Sequence, residues 1–100
     1  MSTEFKRIEG SSTGRIVLYS DSEEAGYIEY ETRKDGSLNV YETVIYEAFR
    51  GKGLAGLLFD ELIKFAQEKN HKIFPTCSFV VKGFERNEDL RYLLATDYTA

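Results

Sequence analysis

A β-branched run stops at Tyr46, a glycine-rich turn follows, and a long amphipathic segment then runs to Asn70: VIYEAFRGKGLAGLLFDELIKFAQEKN. The turn reads Arg50-Gly51-Lys52-Gly53-Leu54-Ala55-Gly56. Strand-turn-helix at this point fixes most of what the chain can become. The first N–H groups of a helix are unpaired and carry the positive end of its dipole. Without side chains at Gly51 and Gly53, a ligand can approach that backbone closely. Arg50 and Lys52 oppose the dipole, an arrangement that an anion relieves, so the turn reads as a phosphate cradle. A solvated pair of loop cations is the plainer reading of the same two residues.

The flanking sequence supplies the architecture. Phe5–Glu9, Arg15–Ser20, Ala25–Arg33 and Leu38–Tyr46 read as four strands. They are separated by Gly10–Gly14, by Asp21–Glu24 and by Lys34-Asp35-Gly36-Ser37, whose Asp-Gly is a hairpin signal. In the fourth strand Leu38, Val40, Glu42 and Val44 alternate with Asn39, Tyr41, Thr43 and Ile45. The helix is predicted to start near Gly53, with Leu54, Leu57, Leu58, Leu62, Phe65 and Ala66 as its core stripe. Asn70 ends it, and His71–Phe74 forms a fifth strand. A helix between two strands implies a parallel crossover. Phe79–Leu94 is predicted helical in one or two pieces, with Asn87 and Ser78 as candidate N-caps. The fold class is therefore α+β: a mostly antiparallel sheet of about five strands, a long helix after strand four and a C-terminal helical segment.

Length bounds this to one domain over residues 1–100. A net charge of −4 argues against a nucleic-acid binder. One cysteine excludes an internal disulfide and fits a reducing compartment. The opening MSTEFKRIEG has no apolar segment of signal type, and no run is long enough to span a bilayer. The expectation is a cytoplasmic protein, a monomer or weak dimer, with no nucleic acid or membrane partner.

Gly51-x-Gly53-x-x-Gly56 matches the dinucleotide-binding pattern literally, but that fold needs a carboxylate about 20 residues on. Ile73-Phe74-Pro75-Thr76 has none. A kinase glycine loop lies between two strands, whereas this one opens a helix. A third reading fits. Arg50, Gly53 and Ala55 occupy the fixed positions of Gln/Arg-x-x-Gly-x-Gly/Ala, at a meander-to-helix junction. In this the chain resembles the GCN5-related N-acetyltransferases. Thr43, Arg50–Gly53 and Pro75-Thr76-Cys77-Ser78-Phe79-Val80 together resemble the minimal single-domain branch of that superfamily, which carries a Pro-x-Cys-Ser motif.

The resemblance implies an acetyl-CoA-dependent N-acetyltransferase acting on an amine, with a non-catalytic CoA- or acyl-CoA-binding module as the alternative. It implies that Arg50, Gly51, Lys52, Gly53, Leu54 and Ala55 hold the CoA pyrophosphate, and that strand-four backbone around Val44 and Ile45 holds the pantetheine in a gap between strands four and five. Larger relatives carry helices between strands one and two. Gly10–Gly14 leaves no room for them, so an open acceptor side is expected, suited to a protein tail or a polyamine.

Two residues are candidate catalytic groups. Cys77 reads either as a small buried apolar residue or as a thiol beside the acetyl group. Glu42 reads either as an exposed strand carboxylate or as a general base for the acceptor ammonium. The branch often has His there, so Glu42 is a departure. His71, with no ligand-type neighbour at metal spacing, reads as structural, and no metal is expected. Tyr41 and Tyr46 read as core or groove-lining aromatics.

Overall fold

A computed structural model describes residues 2–99. Five strands lie in sequential order: β1 (Thr3–Glu9), β2 (Thr13–Ser20), β3 (Glu23–Thr32), β4 (Leu38–Ile45) and β5 (Ile73–Pro75). The first four form an antiparallel meander, and β5 joins β4 in parallel. Helix α1 (Leu54–Lys69) supplies the crossover between β4 and β5, and α2 (Ser78–Arg86) follows. A single 3₁₀ turn, Glu47–Phe49, leads into the glycine turn, and a second 3₁₀ segment, Glu88–Leu93, follows α2. The α+β architecture is the one expected.

One core lies on one face of the sheet. Ile16, Leu18, Ile28, Tyr30, Leu38 and Val40 alternate along β2–β4 and are buried under α1. Phe65, Leu58 and Leu62 enter from the helix. Each buried side chain of this size contributes roughly 1.5–3 kcal/mol. The core face of α1 is wider than the predicted stripe. Phe59 and Ile63 are buried as well; α2 packs beside α1 at Phe59, whose ring meets that of Phe84 edge-on at 5.6 Å. Leu57, predicted to be core, instead lies 36% exposed. The Arg7 guanidinium reaches Glu61 at 2.9 Å and Glu68 at 3.0 Å, tying the edge strand β1 to α1. His71 holds the Gly36 carbonyl at 2.9 Å through Nδ1, in keeping with a structural role.

The local signals were correct in kind but not always in place. Asn70 ends α1 in the left-handed conformation, φ 56°, as a helix C-cap commonly does. The β2–β3 turn is made by Asp21 and Ser22, both at positive φ (48° and 69°), a two-residue hairpin without glycine. Strand β5 runs over Ile73–Pro75 rather than His71–Phe74. Ser78 is the first residue of α2 and Cys77 precedes it without a side-chain cap, whereas Asn87 does stand at the N-cap of the second 3₁₀ segment, though its side chain makes no capping bond there. Asn87 instead donates from its amide to the Gly83 carbonyl at 2.7 Å, closing the end of α2. Among the described residues no helix is long and apolar enough to cross a membrane.

Candidate active site

Strand β4 is regular only in part. On β3, Glu29 pairs with Glu42 and Tyr30 pairs with Val40, which leaves Tyr41 as an extra residue. This is a β-bulge, and it resets which face each later side chain takes. Thr43 pairs with Ile28, and so joins Leu38 and Val40 on the helix face. Glu42 and Val44 pair with Glu29 and Tyr27 on the other face. The simple alternation that grouped Glu42 with Leu38 and Val40 is thereby corrected.

Strands β4 and β5 pair only from Leu38/Ile73 to Val40/Pro75. The Val40 carbonyl then accepts both the Thr76 N–H at 3.0 Å and the Cys77 N–H at 3.1 Å. Beyond this apex the chain leaves β4 and enters α2, opening a V-shaped gap. The Tyr46 N–H bonds to the Ala25 carbonyl at 2.9 Å. Peptide groups alternate along a strand, so those of Val44 and Glu42 also face β3, while those of Thr43 and Ile45 face the gap. The Val44 carbonyl lies against Gly26 on β3. Of the two residues expected to offer backbone to a ligand, then, Ile45 faces the gap and Val44 does not. The Ile45 carbonyl accepts from Arg50 Nε at 3.0 Å, leaving the Thr43 and Ile45 N–H groups directed into the opening.

The two candidate catalytic side chains take opposite sides of this gap. Cys77, half-buried on the helix side, donates its thiol to Thr43 Oγ1 at 3.5 Å. Glu42 lies on the other face, where the Tyr27 hydroxyl donates to its Oε1 at 3.1 Å. The structure does not bring the two together. Around Glu42 lies a polar lattice not anticipated from sequence. Arg15 Nε donates to Glu29 at 2.6 Å, and the Tyr41 hydroxyl donates to the same carboxylate at 2.7 Å. The Arg15 guanidinium stacks 3.9 Å from the Tyr27 ring centre. The Tyr46 hydroxyl donates to Glu24. Arg15 and then Tyr41 hold the Glu29 carboxyl below its usual range. The bond to Glu29 pushes Tyr41 up to about 12, and the bond to Glu24 pushes Tyr46 up to about 12. Burial, and then the Glu42 bond, raises Tyr27. The pairing of β2, β3 and β4 assembles this lattice, so Arg15 and Glu29 had no local signal of their own.

At the mouth of the gap the turn takes the shape a cradle requires. Gly51 and Gly53 have φ of 80° and 73°, a region that a side chain makes strained. A Cβ at either would meet nothing within 4 Å beyond the adjoining residues of the chain, so the space before them is open. Gly53 is the N-cap of α1 and no side chain caps the helix. The N–H groups of Leu54, Ala55 and Gly56 therefore lack partners of their own. The Leu54 side chain is buried in the core, so it is its backbone that meets the turn. Lys52 Nζ lies 5.7 Å from the Phe49 ring centre. A cavity of about 200 Å³, lined by Ile45, Phe49, Arg50, Gly51, Gly53 and Ala55, connects the turn with the end of β4. A larger cleft of about 470 Å³ lies at the other end of β4, by Ser37, His71 and Lys72, and includes none of these groups. Among the described residues no three metal-ligating side chains cluster.

A family model described as GCN5-related N-acetyl-transferase matches residues 15–93. A comparison with curated protein sequences finds no match. Among solved structures, the ribosomal-protein-alanine N-acetyltransferase of Brucella melitensis biovar Abortus is similar at 19% identity and a TM-score of 0.64, over 91% of this chain and 68% of that one. A provisionally named streptothricin acetyltransferase of Bacillus anthracis, solved with acetyl coenzyme A, is similar at 14% identity and 0.59, over 79% and 49%. An integron cassette protein of Vibrio cholerae is similar at 16% identity and 0.59, over 100% and 91%. The chain thus spans about half the length of the Bacillus protein and nearly all of the Vibrio one.

Proposed function

Because this chain belongs to the GCN5-related N-acetyltransferase family, we propose that it moves the acetyl group of acetyl-CoA to an amine acceptor, and that it belongs to the minimal branch marked by Pro75-Thr76-Cys77-Ser78. The observation that carries the reading is one of placement. An uncapped helix start with two left-handed glycines opens onto the mouth of a gap whose β4 wall presents two N–H groups. Acetyl-CoA supplies a thioester, which is activated for transfer to nitrogen. The turn amides from Gly51 to Ala55, with Arg50 and Lys52, bind the pyrophosphate. The Ile45 and Thr43 N–H groups orient the pantetheine and the thioester carbonyl, and stabilise negative charge as it develops on that oxygen.

The acceptor enters from the face that carries Tyr41, Glu42 and Val44, since α2 and Cys77 close the other side. Its nitrogen must be neutral to attack. Glu42 takes the ammonium proton, directly or through one water: Tyr27 occupies its Oε1, and Oε2 has no bond among the described residues. Attack forms the amide bond and the C–S bond breaks; the proton that the nitrogen sheds in becoming an amide goes to the departing sulfur, directly or through water, and CoA leaves as its thiol. Cys77 borders the space into which the sulfur leaves. Transfer through Cys77 itself would need a thiolate, and its partner is the Thr43 hydroxyl rather than a base or cation. Direct transfer is therefore the better-supported route.

The test is a screen of amines with acetyl-CoA, reading the release of free thiol. Amine-dependent release supports catalysis. Binding of acetyl-CoA with no release for any class of amine would instead favour the CoA-binding module.

A further inference from the structure

The sheet ends at β1, and among the described residues nothing pairs with its outer side. The opposite edge is different: β5 is three residues long, and Leu94 bridges to Ile73. Strand β1 has seven residues, no proline and no bulge in its pairing with β2, so it lacks two common devices that blunt an edge. The Asp21 N–H bonds to the Ser2 carbonyl and the Gly10 N–H to the Thr13 carbonyl, so the even-numbered peptide groups here face β2. Those of Thr3, Phe5 and Arg7 therefore point outward. No hydrogen bond to them is found among the described residues.

The side chains sort by face. Phe5 stands opposite Leu18 and packs against the core on the helix side. Glu4 and Lys6 stand opposite Tyr19 and Val17 on the other side, and both are exposed. Two copies joined here about a two-fold axis normal to the sheet must set one residue opposite itself. Centring on Glu4, Lys6 or Arg7 brings like charges face to face. Centring on Thr3, Ile8 or Glu9 leaves little of the strand overlapped. Centring on Phe5 overlaps Thr3–Arg7, sets the two Phe5 rings side by side and places Glu4 of each copy opposite Lys6 of the other. The outward peptide groups then fall on the hydrogen-bonded pairs, Thr3 with Arg7 and Phe5 with Phe5, while Glu4 and Lys6 fall on the closer non-hydrogen-bonded ones.

We propose that β1 is a self-association edge: a second copy of this chain pairs with it antiparallel, in the register centred on Phe5, joining two five-stranded sheets into one. One strand edge makes a small interface, so the dimer is a weak one.

Sedimentation equilibrium is measured up to millimolar protein for the wild type, Glu4→Lys, Lys6→Glu, the double variant carrying both changes, and an equimolar mixture of the two single variants. The wild type should dimerise. Each single variant sets like charges opposite twice per dimer and should associate about tenfold or more weakly. The double variant should regain wild-type association. The mixture should dimerise although neither component does so alone, since each charge again meets its opposite. Circular dichroism checks that the variants are folded, as expected for exposed side chains. A wild type that stays monomeric at millimolar concentration would overturn the proposal. So would single variants that associate as tightly as the wild type, or a mixture no more associated than its components.

Discussion

Glu42 and Cys77 look across the same gap from opposite faces of β4, and the proposal gives them unequal work. Glu42→Gln keeps the shape and the Tyr27 bond but cannot take a proton. Steady-state kinetics should show kcat/KM lowered by roughly 10²–10⁴. Cys77→Ala should retain most of the activity, and a loss as large as that of Glu42→Gln would instead indicate transfer through sulfur. The tyrosines beside Glu42 give a prediction in pH. Tyr41 and Tyr46 are raised from 10.0 to about 12, so the folded protein keeps these protons while an unfolded chain loses them near pH 10. Stability from these bonds is complete below pH 10 and is lost as pH rises toward 12. Tyrosinate absorbance should therefore develop late for these side chains, and Glu29→Gln should bring Tyr41 back toward its ordinary range.

At the scale of the element, the turn at the start of α1 makes the sharpest demand. Gly53 sits at φ 73°, which valine accepts only with strain of about 1–3 kcal/mol. Asparagine tolerates this region far better. Gly53→Val should lower the thermal midpoint and lose CoA binding, measured by calorimetry. Gly53→Asn should stay close to wild type in stability while its side chain weakens CoA binding. If either variant bound CoA with unchanged affinity, the cradle would be wrong. The elements themselves were legible because apolar spacing changes from two to about 3.6 at the glycine turn. The bulge was not. Leu38–Ile45 alternates plausibly throughout, and nothing in that run marks Tyr41 as the residue without a partner; only its pairing with β3 does. A stripe drawn for one packing surface leaves out Phe59, which lies on the face that α2 covers.

At the scale of the molecule, both helices lie on one face of the sheet and the other face of β2–β4 is bare of helices among the described residues. That bare face carries Glu24, Glu29 and Glu42 against Arg15, with tyrosine rings between them. Carboxylates and aromatic faces together favour cations. A polyamine or lysine-rich peptide should therefore show a KM that rises with salt, while a singly charged amine responds less. The resemblance to larger acetyltransferases raised the expectation of an open acceptor side; the acidic lattice on the bare face emerges only when three strands are paired. The central claim is that the donor lies along β4 with its pyrophosphate on the turn. The direct measurement is amide NMR during titration with acetyl-CoA. The N–H signals of Thr43, Ile45 and residues 51–55 should shift together and saturate. No shift at millimolar ligand, or shifts confined to the distant cleft at Ser37 and His71, would contradict it.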